Sequence, residues 1–470
     1  MKEIIYAIFL SFFLCGLCGN AEAKKKKEVK KAIKREVQTP YDKLFKGKKA
    51  FTVNGLMKMH LMAGKVYAEF PIELLNRDLA LTSSIEDISD NGEGVVGQFA
   101  GRVNQFRFTL QDSMLQARLV RRYGVKNTGM GKNADQIIER SNTPGIFQSY
   151  KILAYTPDKK AVVVDMTELF LESSRLTNPF PSYAGNSLYG FVQRIHKFQS
   201  QRSELLGICG NDNSMSVHCN LGFNVDRLVL GSFMQAKDVP VSVTVNKILM
   251  LLPEDPMRPR LADSRIGVNA IIQTELPDVC QGIKTYYITK RWRIEPVDEI
   301  RYKQGEMVDV KKPIVFYIDT LMPDSWIKYV KAGAEAWNAA FEKIGLRNVV
   351  RTELFPKDSS FDAGDIHNSV IRYAPSWMYY PQYSMHTDPR TGEILNASVY
   401  LPANVASYFY TSRTEETMAV DPSVRKARLS EEQFGEMFKA KMMQAIGRCL
   451  GLTDNYAASS VYPVDSLRSA

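Results

Sequence analysis

The side chains in this 470-residue chain best suited to proton transfer or metal binding near neutral pH are its five histidines, His60, His196, His218, His367 and His386. No two stand four residues apart, the spacing that would put a pair on one helix face to grip an ion. Each is expected as an ordinary surface or core residue, and a zinc site assembled from His367, His386 and acids such as Asp388 is not expected. The other reactive arrangements are missing as well. There is no G-x-S-x-G for a serine hydrolase and no G-x-x-x-x-G-K-[ST] loop for a phosphate. Glu335 and Glu342 lie seven apart on a helical stretch, where a solvated face is the expected role. Beyond the apolar N-terminus stand Cys209, Cys219, Cys280 and Cys449, with no C-x2-C pair to nucleate a zinc cluster. Four cysteines allow three disulfide pairings; the favoured one joins Cys209 to Cys219 across the turn-rich Gly210–Ser216. Cys449 has no histidine near it in sequence and reads as a buried thiol or half of a disulfide.

The elements that must position these residues fall into two groups. From about Gly55 to Lys290, short runs of branched and aromatic residues are separated by Gly, Asn, Asp and Ser turns. Examples are Lys65–Phe70, Phe106–Leu110, Ala161–Asp165 and Val241–Val245. This predicts a mostly β region of sandwich or layered-sheet type. After Trp292 the pattern changes. Pro313–Asp319 reads as a buried strand, and apolar residues recur at three- and four-residue spacing from Trp326 to Ile344, where Gly345 stops the helix. Two more strands follow, Ser369–Tyr373 and Glu393–Tyr400. Ser430, with Glu431 and Glu432 behind it, then caps a helix that runs to Leu450 and stops at Gly451. The expected fold class is α+β, with a β region over residues 41–300 and an α/β domain over 301–470.

Charge and termini bound the partners. The net charge of +10 suggests a nucleic-acid protein until it is located. Eight basic and two acidic side chains crowd into residues 24–36, so the body is nearly neutral and nucleic acid is not an expected partner. Ahead of that basic tail (24–40), Lys2, an apolar run from Ile4 to Leu17 and Ala21-Glu22-Ala23 read as a signal peptide over residues 1–23. No later stretch is apolar enough to span a bilayer. An exported protein, periplasmic or secreted from a Gram-negative type of bacterium, is expected, with an oxidising surrounding that permits disulfides.

One stretch carries a resemblance. Gln444-Ala-Ile-Gly-Arg448-Cys-Leu-Gly451-Leu-Thr-Asp454 has the skeleton of H-E-x-x-H-x-x-G-x-x-H, the metzincin zinc motif. Asp263–Gly267, Arg291-Trp-Arg293, Lys312–Asp319, Asp388–Asn396 and Ala458–Arg468 occur in the same order as signature stretches of large secreted bacterial zinc-dependent metalloproteases, which most of the chain resembles. The resemblance implies a zinc endopeptidase, with two histidines of one helix face and a third beyond the glycine turn as ligands, and a glutamate as general base. Position by position the carry-over fails. Gln444 replaces the first ligand, Ala445 the base, Arg448 the second ligand and Asp454 the third; only Gly451 remains. Gln is a poor zinc ligand and Arg repels a dication, so no metal or other cofactor is expected. The family also continues into a lower subdomain, whereas this sequence ends at Ala470, so an incomplete, truncated metzincin-like domain is expected.

In the family, the strand after the D-P-R-T-G turn lies along the substrate cleft. Here that is Glu393, Ile394, Leu395, Asn396, Ala397, Ser398, Val399 and Tyr400, expected as an edge strand that pairs with an extended peptide or partner protein. The reading is thus a non-catalytic, peptide- or protein-binding pseudoprotease. Its rivals are an active zinc endopeptidase with unusual ligands and a decaying, truncated homologue.

Overall fold

Alternation of buried and exposed residues sets the sheets, and the sheets set everything else. The computed structural model describes residues 38–120, 125–127, 136, 140–173, 176–180, 192–230, 233–276, 284–358, 361–376, 378–426 and 428–467. The signal-peptide reading, all but the end of the basic tail, and Cys280 lie outside these residues. Pro40 onward forms one compact unit of the α+β class.

The first part is β-rich, as its turn-punctuated runs require. A small sheet orders Phe51–Val53, Lys58–Met62, Lys65–Pro71, Ala161–Asp165 and Ala154–Tyr155. Beside it stands a seven-stranded antiparallel sheet, Val192–Asn211, Ser214–Val229, Phe233–Leu251, Leu79–Ile88, Phe99–Gln111, Met114–Leu119 and Gly145–Lys151. On Ser214–Val229, Val217, Cys219, Leu221, Phe223 and Val225 are fully or nearly fully buried, while the intervening His218, Asn220 and Asn224 are only partly so. That period of two is the signature of a sheet with one dry face.

The second part is an α/β layer. Val350–Leu354, Ile314–Ile318, Ser369–Tyr373 and Ile394–Leu401 run parallel, and Gln382–Thr387 closes the sheet antiparallel to its last neighbour. Parallel neighbours need long crossovers, and the helix Asp324–Glu335 supplies one. The expected single helix through Ile344 is interrupted at Ala336–Trp337 and resumes as Asn338–Glu342. Glu335 is not on a solvated face: it is half-buried and its carboxylate accepts from the Thr352 backbone N–H at 3.1 Å and from its hydroxyl.

Two expectations need correction. Ile394–Leu401 is not an edge. It is paired along Ile394–Tyr400 by Gln382–Thr387 and at Val399–Leu401 by Ser369–Tyr373. The edge is the preceding strand, Gln382–Thr387. Nor are Cys209 and Cys219 bonded. The hairpin register sets Cys209 opposite Ser216 and Cys219 opposite Leu205, and Cys209, Cys219 and Cys449 are free thiols.

Candidate functional site

The helix that ends in the motif is built to be straight and well anchored. Ser430 and Gln433 form a reciprocal capping box, the Gln433 N–H donating to the Ser430 hydroxyl at 3.2 Å and the Ser430 N–H to the Gln433 side chain at 3.1 Å. The helix Glu431–Cys449 then buries Met437, Phe438, Met442, Ile446 and Cys449 in the core under the parallel sheet. Its glycines permit close crossings. A Cβ on Gly447 would lie 2.7 Å from the Trp337 ring.

Gly451 ends the helix with φ +98°, a conformation that L side chains rarely adopt. A Cβ there would also sit 2.5 Å from the Lys290 carbonyl oxygen. The chain beyond it is held by a clamp of backbone hydrogen bonds. Asn269 N–H donates to Gly451 O at 2.7 Å, and Thr453 N–H to Gly267 O at 2.8 Å. The Trp292 indole N–H donates to Cys449 O at 3.0 Å. Arg291 and Glu393 pair across a parallel bridge, and the Arg293 guanidinium grips the Glu393 carboxylate with two bonds of 3.1 and 3.0 Å. Three stretches singled out in the sequence, 263–267, 291–293 and 388–396, therefore meet at the end of one helix. Their role here is to hold the turn.

What the turn positions is an ion pair. Arg448 donates from Nη2 to Asp454 Oδ1 at 2.5 Å, with 20% of the Arg448 side chain and 53% of the Asp454 side chain exposed. The carboxylate raises the arginine's proton affinity, and the guanidinium lowers the Asp454 carboxyl below its ordinary value. Tyr383, on the edge strand, and Tyr456 are close enough to act on the Arg448 charge. Gln444 is exposed one turn earlier, and Ala445 is buried. Cys449 is fully buried, and desolvation pushes its thiol far up, so it is no nucleophile.

Four of the five histidines each pack or bond locally. His60 bonds Glu69 and Thr52, and His196 stacks on Phe180 while bonding Glu93. His367 is bonded to Asp365 at 2.8 Å, His386 is buried against Phe99, and Asp388 is engaged by Arg390. These last three do not gather. The exception is His218, which meets Glu86 and Asp362, all three offering ligand atoms within 4.8 Å of one another. Sequence reading missed this group because its members lie far apart in the chain and on three different elements.

Comparison with known families agrees with the placement of the motif. Residues 426–470 match a family described as Met-zincin, so the capped helix and its turn form a metzincin-like region. Residues 97–297 match a domain of unknown function (DUF5117). No curated protein and no solved structure matches the chain.

Proposed function

We propose that this chain is an exported, non-catalytic relative of the zinc metalloproteases that binds an extended peptide. The observation that carries this reading is the Arg448–Asp454 ion pair at the end of the motif helix. In the resemblance, those two positions and Gln444 are the zinc ligands, and the residues present do not fit the ion. A guanidinium has no lone pair to give and repels a dication, and its carboxylate partner is already neutralised. Ala445 offers nothing to take a proton from water.

Peptide capture needs only main-chain groups. Among the described residues the edge strand Gln382–Thr387 has a strand partner on one side only, and the exposed Tyr383 is close enough to act on the Arg448 charge. An extended peptide adding there would form a sixth strand. The reading places the chain on the export side of the membrane, and no helix among the described residues is long and apolar enough to cross one.

Two measurements test it together. Residues 24–470, incubated with an unstructured protein substrate and zinc, should leave it uncleaved with or without a chelator. Extended peptides should bind in fluorescence anisotropy, and N-methylation of alternate peptide amides should abolish the binding without any change to the protein. Chelator-sensitive cleavage would overturn the pseudoprotease reading; binding indifferent to N-methylation would overturn strand addition.

A further inference from the structure

Three strands and one loop, none of them part of the motif helix, bring a second set of donors together. His218 lies on Ser214–Val229, directly opposite Asn246 on Phe233–Leu251, and Asn246 lies directly opposite Ser84 on Leu79–Ile88. Just beyond Ser84 the register slips. Ile85 pairs with Val245 and Asp87 with Thr244, so Glu86 is the extra residue of a bulge. Bulges re-aim side chains, and this one brings Glu86 Oε1 to 2.8 Å from His218 Nδ1. Asp362 arrives from the connection between Val350–Leu354 and Ser369–Tyr373. Its segment is pinned on the sheet by Ser84 Oγ donating to Gly364 O at 3.0 Å, and Gly364 N–H donates to Asp362 Oδ1 at 2.7 Å.

The electrostatics of this cluster are unbalanced. Among the described residues neither Glu86 nor Asp362 has a lysine or arginine ion-pair partner; the one salt bridge of the group is His218 to Glu86. Burial and the nearby Glu86 charge raise the Asp362 carboxyl, and the Glu86 carboxylate raises His218. A second observation points inward. Asn246 is 0% exposed; its Nδ2 donates to Asp362 Oδ2 at 2.7 Å, and its Oδ1 is buried without any hydrogen-bond partner. A buried amide oxygen left unpaired costs about 1–3 kcal/mol, which a cation beside it would relieve.

We propose that Glu86, His218 and Asp362 form a site for a divalent transition ion of the zinc class, with the Asn246 amide oxygen beside it, and that the ion clamps the Asp362 segment to the β-sheet. One imidazole and two carboxylates are a donor set that suits zinc. At metal–donor distances of about 2.0–2.2 Å in a tetrahedron, the donors would stand about 3.3–3.6 Å apart. The present separations, all within 4.8 Å, need only a small contraction. Binding would displace the proton shared by His218 and Glu86, which makes it stronger as pH rises.

The test uses residues 24–470 stripped with a chelator and titrated with zinc by calorimetry, with cobalt absorption as a readout of the donor set. The expected result is about one zinc per chain, a raised melting temperature, and loss of affinity by at least about tenfold in His218→Ala and in Asp362→Asn. Glu86→Gln, which keeps volume and a hydrogen bond, is the second variant should either of those fail to fold. Arg448→Ala and Asp454→Ala should leave zinc binding unchanged. Absence of zinc binding by the folded chain, or zinc binding indifferent to all three substitutions at Glu86, His218 and Asp362, overturns the proposal. Zinc lost on substituting Asp454 instead would overturn the pseudoprotease reading as well, so the two failures are distinguishable.

Discussion

At the end of the motif helix a cation and an anion, six residues apart, satisfy each other at a half-solvated surface. On the seven-stranded sheet, two carboxylates and an imidazole from three separate elements face one another, with no lysine or arginine ion pair to either carboxylate among the described residues. The first region has the spacing of a metal site and the wrong donors. The second has suitable donors and no recognisable spacing. Spacing along a helix reports only local geometry, whereas a sheet assembles donors by register, which no linear pattern encodes.

The strongest way to break this contrast is to give the first region the donors it lacks. The triple variant Gln444→His, Arg448→His, Asp454→His should bind a further zinc, about one equivalent beyond the unaltered chain, because helix and turn are already in place. Elemental analysis after dialysis checks it; no gain would mean that the turn does not bring position 454 to the helix face. Next in size is Gly451→Ala. The positive φ and the 2.5 Å approach to Lys290 O together should cost about 3 kcal/mol, read from the shift of a denaturant midpoint. A variant as stable as the parent would show that the clamp yields.

A pH series sharpens the second region. His218 is held above its ordinary 6.5 by Glu86. In the metal-free chain that pair's contribution is complete below 6.5 and is lost as pH rises through the raised folded value. The raised Asp362 carboxyl acts in the same sense lower on the scale, stability falling as pH climbs from the ordinary 3.8 to its folded value. With zinc the sign should invert, since both groups must shed protons to bind it. Denaturation across pH 3.5 to 8, with and without zinc, reads both slopes, and His218→Gln should flatten the upper one. The smallest effect belongs to Asp454→Asn. Its lowered carboxyl gives a contribution present above 3.8 and lost as pH falls through the folded value, but the group is so exposed that salt should erase the difference. A salt-independent loss would show that the pair does more than neutralise itself.

The local parts of this fold were legible in the residues. Ser430 with Glu431 and Glu432 announces the cap, Gly451 the stop, and the alternating runs at Lys65–Phe70 and Val241–Val245 the strands, because each depends on neighbours in the chain. The residues at positions 444, 445, 448 and 454 are read directly from the sequence, since a donor's chemistry is a property of the residue itself. What escaped was long-range. Whether Glu393–Tyr400 lies inside or at the rim depends on which strand pairs with its far side, and Gln382–Thr387 does. The Cys209–Cys219 reading failed on register, and the Glu86–His218–Asp362 group depends on a bulge and on a segment folded back from the second half.

The turn at Asp388 bears on how such a chain could be inherited. Asp388 is fully buried and held by Arg390, whose guanidinium also reaches Asp78 at 3.3 Å and the Pro253 carbonyl at 3.0 Å, while Gln273 donates to Pro389 O. An arginine that belongs to the α/β layer thus takes its remaining partners from the β region. Severed near residue 300, the second half would keep the Arg390–Asp388 pair but lose the Asp78 and Pro253 acceptors, and Asp78 would be left with Arg107 alone. A half exchanged for that of a distant relative would have to bring its own match for this turn, so residues 78, 253, 273 and 388–390 are expected to change together.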